Sequence, residues 1–238
     1  VDLNKIAALK GVSRAAGATR VGPMLRQCEV LTHDALARDL PVLVEAVRHI
    51  GHHQTRNRGT VGGSIALGEP AAELPATAVA LNATIEVRSA TGARTIPAAD
   101  FYLGPYMNSL QPDELVTGIT FPDWPKGHIP LFRELAQRPG DFALVGIVGA
   151  LVVEAGKITR VGLAWFGMGP TPIKAKTAEQ MLLGQALDTL DLQAVAEGAI
   201  ADTAPFDDQH ASAEYRRTVG KRIFASALRE ALKTGEIA

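Results

Sequence analysis

The sequence is poor in cysteine, in aromatic residues and in surplus charge. A single cysteine among 238 residues, Cys28, excludes an internal disulfide and a cysteine-based zinc or iron–sulfur site. Lysine plus arginine (24) balances aspartate plus glutamate (25), and a net charge of −1 gives no bulk electrostatic reason to bind nucleic acid or an anionic membrane. Aromatic residues are 5% of the chain, so a flat ligand has few stacking partners.

Long hydrophobic runs are also lacking. The longest candidate, 143–153, is shorter than the roughly 18 residues that a membrane span needs, and Gly146 and Gly149 interrupt it. We therefore expect neither a membrane span nor a signal peptide, and we expect a cytoplasmic location. A hydrophobic fraction of 47% is typical of globular proteins, and the length allows one large domain or two small ones.

The first half of the chain alternates predicted helices and strands. Apolar residues spaced by three and four predict an amphipathic helix over 36–50, with Pro41 in its first turn and Gly51 as its C-cap. Further predicted elements are a helix over 71–81, a hairpin of strands 84–88 and 94–96, a strand over 115–121, and the end of a strand at residues 1–4.

A cluster of turn-forming residues divides the chain. Pro122, Pro125 and Gly127 lie between two patterned regions, so we place a boundary between a domain of residues 1–125 and a domain of residues 126–238. Three strands are predicted beyond it, over 131–138, 144–154 and 157–166.

Helical patterning follows these strands to the end of the chain. Ser212 is a suitable N-cap for the last helix, which carries one apolar stripe: Val219, Ile223, Phe224, Ala227, Leu228, Ala231 and Leu232. The second half thus predicts an antiparallel sheet with helices covering one face, in an α+β fold.

A glycine-rich stretch over 56–64 is the most informative segment. Three glycines in five residues, 59–63, let a backbone approach a ligand closely, and Thr60 and Ser64 add hydroxyl donors. Such a segment suits a phosphate, and it is equally compatible with an ordinary tight turn. Its spacing matches neither a Walker A loop nor the dinucleotide-binding fingerprint.

This stretch belongs to a wider pattern. The segment 50–64, together with Glu73-Leu74-Pro75, resembles the second flavin loop of the FAD-binding (PCMH-type) medium subunit of molybdenum hydroxylases, the carbon monoxide dehydrogenase and xanthine dehydrogenase type. The resemblance continues in the same order, over nearly the whole chain, through 100–101, 113–115, 138–143, 169–172 and 208–217.

The resemblance implies a fold and a set of cofactor contacts. It implies an FAD-binding α/β domain (the second PCMH-type subdomain), followed by a smaller domain of three-stranded antiparallel sheet plus helices. The backbone N–H groups of Thr60, Val61, Gly62, Gly63 and Ser64 would hold the FAD pyrophosphate, although the family usually has Asn at the position of Ser64.

Five further contacts follow from the same resemblance. Glu73 would bond a ribose hydroxyl or a nearby polar group of FAD, and Ile50 would pack near the cofactor. The backbone of Val116 would lie at the adenine end. Phe132 and Arg133 match positions beside the isoalloxazine ring. In the family a further N-terminal segment carries a first phosphate loop, so we expect this chain to hold one of two such loops.

The implied activity is that of an oxidoreductase subunit. A large subunit with molybdopterin would oxidise the substrate, a small subunit with two [2Fe-2S] clusters would relay electrons, and FAD on this chain would reduce an external acceptor, in a heterotrimer. No side chain here need act as a catalytic acid, base or metal ligand. Two alternatives stay open: a stand-alone flavin reductase of the same broad fold, and a flavin-free structural subunit.

Several residues have an ordinary interpretation beside a functional one. His49, His52 and His53 have helical spacing for a metal, but Gly51 interrupts it, so we interpret them as polar residues at a helix end. Cys28 is interpreted as a partly buried neutral thiol. Arg56 and Arg58 would pair either with phosphate or with a carboxylate such as Glu69.

The segment 215–217 is also open to two interpretations. Its position on the last helix is typical of a solvated helix face. The family resemblance instead implies a structural or subunit-contact role, and neither interpretation involves catalysis.

Overall fold

A computed structural model describes residues 2–15 and 17–235, the side chains of the last two apart. Its N-terminal unit contains seven strands: β1 Val12–Ala15, β2 Ala18–Val21, β3 Thr84–Arg88, β4 Ala93–Pro97, β5 Tyr102–Gly104, β6 Met107–Asn108 and β7 Leu115–Pro122. Five of them form an antiparallel sheet in the order β1-β2-β7-β3-β4, and β5 and β6 form a small hairpin.

Seven helices belong to this N-terminal unit. They are α1 Gln27–Val30, α2 Asp34–Asp39, α3 Pro41–His49, α4 His53–Arg58, α5 Val61–Leu67, α6 Glu73–Ala80 and α7 Ala98–Phe101, after a 3-10 turn at Ala7–Leu9. The predicted hairpin, the strand that became β7 and the helix that became α6 are confirmed.

The prediction of one helix over 36–50 is wrong, because the helical conformation is interrupted at Leu40. That residue has φ −138° and ψ 56°, and Pro41 begins a second helix. A proline ring disfavours helical geometry in the residue before it, which explains the break. The predicted strand end at residues 1–4 is also absent over 2–4, and Val1 lies outside the described residues.

The C-terminal unit is built on a second antiparallel sheet. Its strands are β8 Ile129–Ala136, β9 Ala143–Glu154, β10 Lys157–Phe166 and β11 Ile173–Lys174, in the order β11-β10-β9-β8. The three predicted strands are confirmed, and the two-residue β11 is an addition. Ala155 and Gly156 both have positive φ (49° and 73°), as the predicted tight hairpin requires.

Three helices follow in the C-terminal unit. They are α8 Lys176–Leu182, α9 Leu192–Ala201 and α10 Ala213–Gly235, with a 3-10 turn at Leu187–Thr189. The predicted cap of the last helix is confirmed, since the Tyr215 N–H donates to Ser212 Oγ at 3.1 Å. Among the described residues, no helix is long and apolar enough to cross a membrane.

One of the two hydrophobic clusters among the described residues contains residues of both units, and the other lies within the C-terminal unit. All eight residues of α6 are buried, and this helix packs with α3 against one face of the C-terminal sheet. Alternate residues of β9 point to opposite faces: Val148 and Ala150 join the core of the N-terminal unit, whereas Ile147 and Leu151 pack towards α8, α9 and α10. Helices therefore cover both faces of this sheet, one layer from each unit.

Candidate functional site

The glycine-rich segment is folded into two short helices rather than an open loop. Helix α4 ends at Arg58, and α5 begins at Val61 after Thr60, whose side chain is its N-cap. The Gly63 N–H donates to Thr60 Oγ1 at 3.0 Å. The segment thus presents the start of a short helix, whose dipole favours anions.

Most of the amides expected to hold phosphate already have acceptors within the chain. The Val61 N–H donates to Leu25 O at 3.0 Å, the Gly62 N–H to Pro23 O at 2.8 Å, and the Ser64 N–H to Thr60 O at 3.2 Å. A phosphate at this helix start would therefore rely on the hydroxyl groups of Thr60 and Ser64. It would otherwise have to share backbone N–H groups with the acceptors that they already have. The converging row of free N–H groups that the glycine spacing suggested is not formed.

The glycines of this segment differ in what they touch. A Cβ on Gly62 would lie 2.3 Å from Pro23 Cβ, and one on Gly59 would lie 2.4 Å from Gln27 Oε1. Packing against the proline ring and backbone thus requires glycine at position 62, whereas at position 59 the Gln27 side chain would have to shift. Gly63 is exposed, and its Cβ would meet the Thr60 hydroxyl alone at close range.

Three carboxyl groups gather where the two units meet. Glu73, at the start of α6, is 3% exposed, and burial raises its pKa to about 8, with further contributions from the charges of Glu134 and Glu69. Burial also raises the pKa of Glu134, on β8, to about 7. Glu134 Oε2 is buried without a hydrogen-bond partner. Near neutral pH, Glu73 is thus mainly a neutral acid that can donate a hydrogen bond.

A cleft of about 670 Å³ opens between the two units beside these acids. Glu69, Pro70 and Tyr106 line it from the N-terminal unit, and Phe142, Phe206 and Arg216 are among the residues that line it from the C-terminal unit. We call it the aromatic cleft. Its volume lies within the range of about 300–1,000 Å³ that is typical of small-molecule and cofactor sites.

The exposed aromatic side chains concentrate at this cleft. Among the described residues four aromatic side chains are exposed; Tyr106 (60%), Phe142 (58%) and Phe206 (52%) line the aromatic cleft. The fourth, Tyr215, lines a depression that shares Gln137 and other residues with it. Exposed aromatic rings around one concavity favour a planar or apolar ligand group.

A second cleft, of about 560 Å³, adjoins the first and shares Gln137 and Gly140 with it. Its lining is basic: Arg48, His49, His52, His53, Arg56 and Arg138, with the carboxyl of Glu134. Gly140 (φ 89°) packs directly on the end of α3, because a Cβ there would lie 2.8 Å from both Gly51 O and the His52 ring. This basic cleft and the aromatic cleft form one groove along the boundary of the units.

The structure brings some of the predicted cofactor residues to this boundary. Ile50 ends α3 beside the basic cleft, and Arg56 Nη1 donates to its carbonyl oxygen at 2.7 Å and to that of Gly51 at 3.0 Å. Arg56 is thus paired with backbone carbonyl groups, and its pairing with phosphate stays a prediction, as does that of Arg58. Phe132 packs on His49, with ring centroids 4.5 Å apart.

Two predicted residues lie elsewhere. Arg133 follows Phe132 on β8 and so points to the opposite face, where it pairs with Glu230 of α10. The two side chains cannot flank one ring from the same face. Val116 is buried in β7, opposite Val87, so only its backbone could take part in binding, as predicted.

The histidines behave as polar residues at a helix end. His53 shares a 3.0 Å hydrogen bond with Asn57 and His49 stacks on Phe132. No group of three potential metal ligands occurs among the described residues. Cys28 is partly exposed and is a free cysteine.

Sequence reasoning missed the lining of the aromatic cleft. Phe142, Asp208, His210 and Arg216 fall in segments that carry the family resemblance, but no role follows from their residue types alone. Tyr106 and Phe206 lie in loops without any distinguishing pattern. What distinguishes Tyr106 and Phe206 is the solvent exposure of a large aromatic ring, and exposure can be read only from the three-dimensional structure.

Comparisons with known proteins agree with this geometry. Residues 1–124 match the family model of the FAD binding domain in molybdopterin dehydrogenase, and residues 131–231 match the CO dehydrogenase flavoprotein C-terminal domain. The 6-hydroxypseudooxynicotine dehydrogenase complex subunit alpha of Paenarthrobacter nicotinovorans is 34% identical over an alignment 241 residues long, which covers 99% of this chain and 81% of that protein.

Carbon monoxide dehydrogenase provides a match in both sequence and structure. The medium chain of the Hydrogenophaga pseudoflava enzyme is 30% identical, over 97% of this chain and 80% of that protein. A solved structure of the enzyme from the same organism superposes with a TM-score of 0.94 at 31% identity, over 98% of this chain and 81% of that one.

Proposed function

The chain belongs to the family of FAD-binding medium subunits of the molybdenum hydroxylases, and on this basis we propose that it passes electrons from [2Fe-2S] clusters through FAD to an external acceptor. The observation that carries the proposal is the groove between the two units, whose two sides match the two domains of this family. FAD supplies the redox chemistry when bound, and the chain's own residues bind and orient it.

The predicted residues offer groups that suit such a cofactor. Thr60 and Ser64 offer hydroxyl groups to its pyrophosphate at the start of α5, and Ile50 lies between His49 and Gly51, which line the basic cleft. A neutral Glu73 donates a hydrogen bond to a ribose or ribityl hydroxyl. The backbone of Val116 serves the adenine end.

The ring end of the cofactor belongs in the aromatic cleft under this proposal. Phe142 and Phe206 shield the ring there from water. Phe132 packs on His49, which lines the adjoining basic cleft. We retain Arg133 only as a residue of the strand that carries Phe132, since its side chain faces α10. We also propose the domain boundary at residues 125 and 126, in the segment that connects β7 to β8.

The chain is a subunit of a multi-subunit complex, as its relatives are. We propose that its partners are a large molybdopterin-binding subunit and a small [2Fe-2S] subunit, in a heterotrimer located in the cytoplasm. Substrate oxidation then takes place on the large subunit, and this chain needs no catalytic acid, base or nucleophile of its own.

An FAD titration tests the proposal. Flavin fluorescence and the melting temperature are followed as FAD is added to the 238-residue chain, alone and with its partner subunits. Ligand at about 100 times Kd stabilises a protein by about 2.7 kcal/mol, so saturable binding appears in both signals. Absence of FAD binding in both preparations would contradict the proposal and favour a flavin-free structural subunit.

A further inference from the structure

Arg216 is a buried cation with three separate partners. It lies in the first turn of α10 and is 6% exposed. Its guanidinium pairs with Asp208 at 2.6 Å, donates to Gly167 O at 3.0 Å, and also donates to Leu144 O. A buried charge is costly unless it is paired, and here one side chain joins a loop to the ends of two strands.

Asp208 is prepared for this pairing by its own turn. Its Oδ1 accepts the N–H groups of His210 at 2.8 Å and Ala211 at 2.9 Å. Partial burial opposes ionisation, but these amides and Arg216 together lower the pKa of Asp208, so the carboxylate stays charged at neutral pH. The pair is thus a fixed ionic contact.

Gly167 extends the contact to the other unit. Its N–H donates to Pro70 O, across the boundary, at 2.9 Å. It has φ 70°, and a Cβ would lie 2.8 Å from Leu144 O, so only glycine fits between the two strand ends. Arg216 therefore binds the carbonyl oxygen of Gly167, and the N–H of the same residue connects the C-terminal unit to the N-terminal unit.

Every member of this chain of contacts lines the aromatic cleft: Pro70, Leu144, Gly167, Asp208 and Arg216. Arg216 is almost fully buried, and its guanidinium is engaged by Asp208 and by two backbone carbonyl groups, so it acts through the groups that it holds. We propose that Arg216 is a positioning residue that sets the separation of the two walls of the aromatic cleft, and with it the affinity for FAD; this rests on the proposed function.

Two variants and one control test this role. Arg216→Lys keeps the charge and the contact with Asp208 but cannot hold both carbonyl groups, and Arg216→Met removes all three contacts. Leu228→Ala, on the same helix, opens a cavity in the core of the C-terminal unit and leaves the cleft lining intact. FAD affinity and melting temperature are measured for the parent protein and the three variants. If Arg216→Met does not fold, Arg216→Lys still tests the proposal.

We expect FAD Kd to rise at least about tenfold in Arg216→Met and by a smaller factor in Arg216→Lys. Leu228→Ala should lower the melting temperature while leaving Kd within about twofold of the parent. Unchanged affinity in both Arg216 variants, or an equal loss of affinity in Leu228→Ala, would overturn the proposal.

Hydrogen exchange separates this proposal from the function on which it rests. Without FAD, the Gly167 amide should exchange faster in both Arg216 variants than in Leu228→Ala, when compared at equal global stability. If the parent protein binds no FAD, the proposed function fails, and the exchange rate of Gly167 alone decides whether Arg216 fixes the cleft. Equal exchange of Gly167 in all variants would then refute the role of Arg216.

Discussion

Glu73 and Glu134 approach each other from opposite units, and the charge of Glu134 adds to the burial that raises the pKa of Glu73 to about 8. Helix α6 contributes one carboxyl and strand β8 the other. Both pKa values lie above the ordinary value of 4.5, so the folded protein holds protons that the unfolded chain releases. The boundary between the units is therefore sensitive to pH.

We predict that stability falls as the pH rises from about 5 to 8. The folded state binds more protons than the unfolded state in this window, and each such proton contributes a slope of up to about −1.4 kcal/mol per pH unit. Glu73→Gln should flatten this slope and be more stable than the parent at pH 8. Urea unfolding at pH 5, 6.5 and 8 measures both, and an unchanged slope in the variant would rule out Glu73 as the source.

Lys174 is predicted to stabilise the contact between the units. Its ammonium donates to Ala80 O at 2.8 Å and Asn82 Oδ1 at 2.9 Å, at the end of α6, and pairs with Glu179 at 3.1 Å. Lys174→Met should cost about 2–4 kcal/mol, because it leaves the largely buried Glu179 with the Leu163 N–H but without its cation. The exposed Lys176→Met is the matched control, and equal unfolding midpoints for the two variants would contradict the prediction.

Gly62 and Gly63 should respond differently to alanine. Gly62→Ala forces a Cβ against the rigid ring of Pro23 and should cost about 1–3 kcal/mol without any ligand. Gly63→Ala should cost about 1 kcal/mol, because its Cβ would lie 2.7 Å from Thr60 Oγ1 and displace the hydroxyl that caps α5, although the residue itself is exposed. If Gly63→Ala loses FAD binding and Gly62→Ala keeps it, phosphate binds at the start of α5. A loss of binding in Gly62→Ala would also reflect damaged packing.

The aromatic cleft should contribute to flavin affinity more than to stability. Phe142→Ala and Phe206→Ala remove rings that are half exposed, so the apoprotein should lose less than about 1 kcal/mol in each case. FAD Kd should nevertheless rise about tenfold if each ring packs on the flavin, since such a contact is worth about 1–1.5 kcal/mol. Leu183→Ala, equally exposed but outside the cleft, controls for surface truncation, and equal Kd values in all three would exclude ring contact.

The parts of the fold that follow from local patterning could be predicted. Apolar runs rich in β-branched residues identify β9 and β10, and the Ala155-Gly156 turn between them follows from its residue types. Strands β1 and β2 were missed because Val12–Ala15 and Ala18–Val21 are short and rich in alanine and arginine, which have little strand preference. Their strand geometry comes from pairing with each other and with β7.

The candidate site was predictable only in part, for a related reason. Glycines at 62 and 63 suggest a loop, yet packing of Gly62 on Pro23 and the cap at Thr60 make a helix there. Glu73 could be identified by its place in a motif, but the partner that shifts its pKa, Glu134, lies 61 positions along the chain and is brought close by the fold. The lining of the aromatic cleft likewise depends on loops from both units.

The shared core has a consequence for how the protein is made. Residues 1–125 leave the ribosome before residues 126–238, and they carry α6, all of whose residues are buried in the folded protein. The sheet face that covers α6, with Val148 and Ala150, emerges only later. Until then the nascent chain exposes an apolar helix, and chaperone binding or aggregation competes with folding during that interval. Slower synthesis between Trp124 and Phe166 should therefore lower the yield of the native subunit.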